Sequence, residues 1–194
     1  MQLSVKQLGI FSALVLVMAA TRFNHFGSSI SLPDASLAVF LLAGITMPRF
    51  HLQSLSVFVF LLLIAGGVDY YAINIIGVSD WCVTPAYWFL IPTYAVMWFG
   101  GSWFASKLQL TLHSFILFGS VSLLTTSVAF IISNVSFYLF SARFADMSIT
   151  EYTERIAQYY SSYLSGSLLY LAMAAALYIS LSMLNLTSTK QVNK

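Results

Sequence analysis

Apolar runs long enough to cross a lipid bilayer dominate this sequence and leave little room for a separate soluble domain. A helix needs about 20 apolar residues to cross the hydrocarbon core of a membrane. Hydrophobic residues make up 59% of the 194 residues and charged residues only 7%, a balance foreign to soluble domains. We therefore predict an all-α integral membrane protein with one transmembrane domain over residues 1–194. Six transmembrane helices are predicted, at about residues 8–22, 35–47, 54–76, 84–100, 110–134 and 162–186.

The first apolar run is predicted to stay in the mature protein as a span. It continues into Thr21-Arg22-Phe23 without the small-residue site at which a signal peptide is cleaved. The second run is short for a bilayer of about 30 Å. Pro33-Asp34 just before it is typical of the beginning of a helix.

The charged residues between the runs predict the orientation in the membrane. When the connections are assigned alternately to two sides, one side holds cations and no acid, namely Lys6, Arg49, Lys107, Lys190 and Lys194. The other side holds both signs, namely Arg22, Arg143, Arg155, Asp34, Asp80, Asp146, Glu151 and Glu154. Cationic loops are retained in the cytoplasm, so both termini are predicted to be cytoplasmic.

Asp69 is the one acid that falls inside a predicted span, near the end of the third span that emerges outside. An ionisable side chain in the bilayer is costly unless it is paired or lines a polar cavity, so it indicates a functional site. His25 follows the first span on the same side. We predict that His25 pairs with Asp69, because a carboxylate orients an imidazole and each offsets the desolvation of the other.

Cys82 is the only cysteine, and it precedes the fourth span on the same outer side, close to Tyr87. A lone cysteine has no intrachain disulfide partner, so packing, reactivity or metal ligation remain as its role. Simpler interpretations stay open at this point. Cys82 fits a small buried apolar residue, His25 fits an interfacial side chain bonded to a loop carbonyl, and Tyr87 fits an aromatic belt.

Several classes of function have no sequence signal. The chain has no nucleotide-binding P-loop, no H-E-x-x-H zinc motif and no G-x-S-x-G nucleophile elbow. A dense basic tract for nucleic acid is also missing. The remaining pattern is typical of a helical bundle with a polar, thiol-bearing pocket that opens to the outside.

A group of short motifs resembles the BtuM family of small integral membrane proteins, which are similar to the substrate-binding S-components of energy-coupling factor (ECF) transporters. The resemblance is clearest over about residues 21 to 101. The motifs occur in the order Thr21-Arg22-Phe23-Asn24-His25-Phe26-Gly27, Leu32-Pro33-Asp34-Ala35-Ser36, Gly67-Val68-Asp69, Val78-Ser79-Asp80-Trp81-Cys82-Val83-Thr84 and Ala86-Tyr87.

This resemblance implies a protein that imports cobalamin across the inner membrane of a Gram-negative bacterium. In the family a cysteine thiolate ligates the corrinoid cobalt, and Cys82 stands at the matching place. Thiolate is a soft donor suited to a late transition metal, and the metal drives its deprotonation. His25, Asp69 and Tyr87 match family positions around the ligand. The family is also associated with decyanation of cyanocobalamin, for which Cys82 would be the catalytic group.

Two further expectations concern closure and partners. The acidic, tyrosine-rich connection from Arg143 to Tyr160 is predicted to be a long loop that closes over the corrin as a lid. Gly9 and Ala13 form a small-x-x-x-small pair through which the first span would contact an energising ECF module.

Two other functions stay open on the sequence. One is an S-component-like importer of another vitamin or of a metal ion, and the other is a membrane thiol-redox or assembly protein built around Cys82.

Overall fold

The computed structural model describes residues 4–24, 32–47 and 52–192, and the regular structure in these ranges is helical. The α-helices are α1 Val5–Asn24, α2 Ser36–Thr46, α3 Leu52–Asn74, α4 Leu90–Ala105, α5 Leu112–Phe140 and α6 Ile149–Val192. A short 3-10 helix, Pro85–Phe89, leads into α4. The prediction of an all-α fold is confirmed for this part of the chain.

Successive helices run in opposite directions, which gives the bundle two distinct ends. At one end Arg22, near the end of α1, bonds to Asp34 before α2 and to Asp69 near the end of α3. At the opposite end the Gln7 amide near the start of α1 donates to the carbonyl of Thr46, the last residue of α2, at 3.4 Å. We call these the Arg22 end and the Lys107 end, since the α4–α5 connection with Lys107 lies at the second.

Four of the helices are long and apolar enough to cross a membrane, over Val5–Arg22, Ser54–Asn74, Leu112–Phe140 and Ile149–Leu184. The chain is therefore a multi-pass membrane protein by the length and composition of its helices. With 11 residues, α2 is only about 16 Å long at the α-helical rise of 1.5 Å per residue. With 16 residues, α4 is about 24 Å long, and the 3-10 helix before it extends this segment.

The shortest of the described α-helices, α2, lies in the centre of the bundle. Its residues Ser36–Leu41 are buried on every side, and Leu37 to Leu41 are all apolar, as expected for a helix enclosed by other helices. At Gly44 a methyl group would run into the backbone of Trp98 in α4, and at Gly101 into the backbone of Leu41. Small residues thus let α2 and α4 pack backbone to backbone, and Ser102 Oγ donates to the Gly44 carbonyl at 3.1 Å.

The last helix is longer than predicted, because α6 begins at Ile149 rather than near residue 162. The expectation of a long loop from Arg143 to Tyr160 is therefore wrong from Ile149 onward. Ser148 and Glu151 form a capping box: Ser148 N–H donates to the Glu151 carboxylate at 2.8 Å, and Glu151 N–H donates to Ser148 Oγ at 3.3 Å. Tyr152 is buried against α5, and its hydroxyl donates to the Asn134 carbonyl at 3.0 Å.

Candidate functional site

A buried ion pair between Arg22 and Asp69 is the centre of the Arg22 end. The Arg22 guanidinium donates from Nε to Asp69 Oδ1 at 2.7 Å and from Nη2 to Asp69 Oδ2 at 2.6 Å. The side chains are only 8% and 7% exposed. This two-point, charge-assisted geometry is the strongest that an arginine and a carboxylate make, and it joins the last turn of α1 to the last turns of α3.

The third guanidinium nitrogen of Arg22 ties the pair to α2 and α4. Nη1 donates to Asp34 Oδ2 at 3.1 Å, to Ser36 Oγ at 3.1 Å and to the Tyr94 hydroxyl at 2.8 Å. Asp34 in turn accepts bonds from the Ser36 N–H at 2.9 Å and the Ser36 hydroxyl at 2.6 Å. The network therefore fixes the first turn of α2, where the backbone N–H groups have no partners within the helix.

Tyr87 brings the segment after Cys82 to the same network. Its hydroxyl donates to Asp69 Oδ2 at 2.6 Å. The 3-10 helix that carries Tyr87 begins at Pro85, and the side chain of the preceding Thr84 caps it by accepting a bond from the Ala86 N–H. The short segment is thus held in place at one end by its own cap and in the middle by Asp69. We name Arg22, Asp34, Ser36, Asp69, Tyr87 and Tyr94 the Arg22 cluster.

An aromatic layer lies next to the Arg22 cluster. The ring of Tyr94 stacks on Phe40 with 4.3 Å between centroids and 4° between the planes. Phe58 packs edge-on against Phe40 and also against Trp98, at 5.4 Å in each case. These apolar rings shield one side of the cluster from water, and the charges are consequently compensated by one another rather than by solvent.

Cys82 lies on the connection between α3 and the 3-10 helix, and its side chain is exposed. The connection turns at Gly77, whose φ of +79° is the left-handed conformation that glycine adopts at little cost. Past that turn, Val83 N–H donates to the Asp80 carbonyl at 2.8 Å, and Thr84 N–H donates to the Cys82 carbonyl at 3.2 Å. The thiol therefore stands on a short, internally bonded loop. We call residues 75–84 the Cys82 loop.

A cation from the α5–α6 connection lies against this loop. The Arg143 guanidinium sits 4.2 Å above the ring of Trp81, the neighbour of Cys82. Partial burial raises the pKa of the Cys82 thiol above its ordinary value. The negative charge of Asp69 raises that pKa further, and the positive charge of Arg143 lowers it.

The predicted site residues in the described ranges, Asp69, Cys82 and Tyr87, all belong to the Arg22 end. Asp69 and Tyr87 are in direct contact, and Cys82 is on the adjoining loop. His25, with its predicted pairing to Asp69, lies outside the described residues. Within the described residues Asp69 is bonded to Arg22 and Tyr87.

Four members of the Arg22 cluster were not predicted: Arg22, Asp34, Ser36 and Tyr94. The alternating assignment of connections counts Arg22 among the residues on the outer side. A sequence signal for its role does exist, since a bilayer-embedded acid such as Asp69 requires a cation, and Arg22 is the nearest arginine on the same side. Tyr94 has no comparable signal, because tyrosine in an apolar helix is common.

The described residues contain no group of three or more His, Cys, Asp or Glu side chains placed to hold a bare metal ion. No protein-family model matches the chain, and no curated protein matches it significantly in sequence. The resemblance to the BtuM family therefore rests on the sequence motifs alone.

Proposed function

We propose that this protein takes up cobalamin across a bacterial inner membrane, with Cys82 as an axial ligand of the substrate's cobalt. The observation that carries the proposal is the placement of the chain's only thiol. It is exposed on the short bonded loop that leads into the 3-10 helix of Tyr87, whose hydroxyl binds Asp69 of the Arg22 cluster. The motifs shared with the BtuM family supply the identity of the substrate.

A corrinoid suits a site with a single thiol. The macrocycle occupies the four equatorial positions of cobalt with its own nitrogens, so one protein side chain is enough to fill an axial position. A thiolate binds such a metal strongly. Partial burial and the negative charge of Asp69 raise the pKa of Cys82 and so disfavour the free thiolate. The proton is then released when cobalt binds, which makes ligation more favourable as the pH rises.

Asp69 and Tyr87 act in this proposal chiefly through position. The Arg22 guanidinium and the Tyr87 hydroxyl both donate hydrogen bonds to the Asp69 carboxylate. This contact fixes the 3-10 helix and, through Thr84, the end of the Cys82 loop. His25 completes the ligand set of the proposal as the polar group expected beside the corrin.

The proposal includes decyanation of cyanocobalamin. The Cys82 thiolate would replace the nucleotide base in the axial position opposite cyanide, so the bond between the base and cobalt breaks as the cobalt–sulfur bond forms. Electron donation from sulfur would weaken the cobalt–cyanide bond, cyanide would leave with the electron pair of that bond, and water would take the vacated position. The oxidation state of cobalt is unchanged in this ligand exchange. Cys82 is the group that would perform it.

The membrane arrangement of the proposal is that of an ECF S-component, with six spans and both termini in the cytoplasm. The cation-rich Lys107 end then faces the cytoplasm, and the Arg22 end with Cys82 faces the periplasm. Gly9 and Ala13 both lie on the exposed face of α1. A neighbouring helix of an energising module could approach closely at these two small residues.

The thiol-redox alternative makes a different prediction for Cys82. It predicts that thiol-blocking reagents modify this exposed cysteine readily and that no coloured ligand co-purifies with the protein. Import of another vitamin or of a metal ion predicts a substrate whose binding is indifferent to Cys82.

Absorption spectra of detergent-purified protein incubated with cobalamin test the proposal. We expect a bound corrin whose bands differ from those of free cobalamin, and a Cys82→Ala variant whose bound or free corrin lacks that difference. Cys82→Ser is the matched control, because it keeps the size of the side chain and removes the soft donor. Wild-type protein that binds no cobalamin would overturn the proposal that cobalamin is the substrate. Identical spectra in all three proteins would overturn the proposal that Cys82 ligates the cobalt.

A further inference from the structure

A polar pocket lies at the Lys107 end, at the opposite end of the bundle from the Arg22 cluster. It has a volume of about 430 Å³ and is formed where the α4–α5 connection meets the first turns of α5. The lining residues are Trp103, Ser106, Lys107, Gln109, Thr111, His113, Ser114 and Leu117. The volume is in the range of ordinary small-ligand sites, and the transport proposal makes no use of this pocket.

The floor of the pocket is held in shape by Ser114. This buried side chain accepts a bond from the Gln109 N–H at 3.1 Å and donates to the Lys107 carbonyl at 2.9 Å. The Lys107 N–H donates to the Phe104 carbonyl at 2.8 Å. Ser114 thereby fixes the backbone of the connection at two points, Lys107 and Gln109.

The pocket has the charge of an anion site. The Lys107 ammonium lies 4.8 Å above the ring of Trp103, which places the cation over the pocket wall. None of the described residues that line the pocket is a carboxylate. Gln109 and His113 also line the pocket, so a phosphate there would meet a cation and polar side chains and no acidic side chain.

One lining residue, Trp103, and apolar residues that are neighbours of the lining residues in the chain are exposed. Trp103 is 51% exposed, Leu110 47%, Leu112 76% and Ile116 60%. A tryptophan and a lysine at the end of membrane helices are typical of the headgroup level of the bilayer. An anion that binds here would therefore be accompanied most favourably by hydrocarbon, which a free phosphate ion does not have.

We propose that this pocket binds the phosphate headgroup of an anionic phospholipid, with Lys107 as the principal cationic contact and the exposed side chains of α4 and α5 against its acyl chains. The lipid would occupy the groove beside the α4–α5 connection. Because α4 also packs against the central helix α2, a lipid bound there would stabilise the bundle from the Lys107 end.

Thermal unfolding of the detergent-purified protein during titration with dioleoylphosphatidylglycerol tests this site. We expect a saturable rise in the melting temperature that equal amounts of dioleoylphosphatidylcholine do not produce. Lys107→Gln should shift the lipid concentration at half-effect upward about fivefold, the effect of losing one cation near an anionic headgroup. Lys107→Arg should titrate like the wild type.

Lys6→Gln is the matched control, since Lys6 is an exposed cation at the same end but on α1. Its titration should be that of the wild type. An unchanged titration in Lys107→Gln, or an equal loss in Lys6→Gln, would overturn the pocket in favour of a diffuse surface charge. Equal stabilisation by inorganic phosphate at matched ionic strength would overturn the lipid as the occupant.

Discussion

The Arg22 cluster and the Cys82 loop lie at the same end of the bundle and differ in nearly every physical respect. In the cluster, Arg22 and Asp69 are almost fully buried and each has several partners. On the loop, Cys82 is exposed and Trp81 is half exposed beneath the Arg143 guanidinium. In the sequence, each region is marked by one chemically unusual residue: Asp69 inside a predicted span and Cys82 just before one.

The difference separates two roles that one polar site can have. Buried charges with complete partners hold helices together, because removing one partner leaves the other uncompensated. An exposed thiol on a short loop contributes little to the fold and remains accessible to a ligand. We therefore expect substitutions in the cluster to change stability first, and substitutions in the loop to change binding with little loss of stability.

Asp69→Ala should have the largest effect on stability. It leaves the Arg22 guanidinium buried without its two-point partner, which costs about 3–5 kcal/mol in buried pairs. The measurement is the unfolding free energy or melting temperature in detergent. A paired Arg22→Met and Asp69→Leu variant should recover much of the loss, since it removes both charges together. A single variant as stable as the wild type would contradict the structural role of the pair.

Tyr87→Phe should have an intermediate effect, because it deletes one hydrogen bond to a buried carboxylate while keeping the ring. Hydrogen bonds to charged groups are worth about 1.5–3 kcal/mol. Tyr70→Phe is the control on the same helix as Asp69, because the Tyr70 side chain is 67% exposed. Equal melting temperatures for the two variants would show that the Tyr87 contact does not support the cluster.

Cys82→Ser should change the unfolding free energy by less than about 0.5 kcal/mol, the usual range for exposed positions. The same variant should lose the cobalt-dependent change in the absorption spectrum under the transport proposal. Tyr87→Phe is expected to do the opposite: it should lower the stability and leave the ligation of cobalt by Cys82 in place. A Cys82→Ser protein that unfolds at a much lower temperature than the wild type would show that the Cys82 loop stabilises the fold, as the Arg22 cluster does.

Arg143→Gln should have the smallest effect and acts on the thiol alone. The positive charge of Arg143 lowers the pKa of Cys82, so its removal should raise that pKa. Alkylation of Cys82 by iodoacetamide should then be slower at neutral pH and should increase only at higher pH than in the wild type. Arg155→Gln is the control, since Arg155 lies over Phe144 at 5.8 Å rather than over Trp81. Equal alkylation profiles for Arg143→Gln and the wild type would contradict the contact.

Much of the fold follows from hydropathy, and the exceptions have physical causes. The long helices were predicted because lipid-length apolar runs leave a strong signal. The beginning of α6 was missed because the polar, tyrosine-rich residues after Ile149 lack that signal, although Ser148-Ile149-Thr150-Glu151 is a capping-box sequence. The short length of α2 was visible in the sequence, but its central position depends on packing against Gly101 and Trp98.

The sequence predicted which unusual side chains belong to the candidate site, but it did not predict which residues they bond to. Asp69 was found because the bilayer penalises a lone acid, and its contact with Arg22 shows how that penalty is offset. The partner was missed because alternating loop assignment places Arg22 outside the membrane, whereas the last turn of α1 carries it into the protein interior. Bonds such as that between Arg22 and Tyr94 join residues far apart in the chain and leave no local pattern.

X-ray absorption at the cobalt edge of cobalamin-loaded protein tests the central claim most directly. We predict one sulfur atom in the first coordination shell of cobalt in the wild-type protein and in Tyr87→Phe. In Cys82→Ser the sulfur should be replaced by a nitrogen or oxygen donor. A wild-type spectrum with nitrogen and oxygen neighbours only would contradict the assignment of Cys82 as the group that holds the substrate.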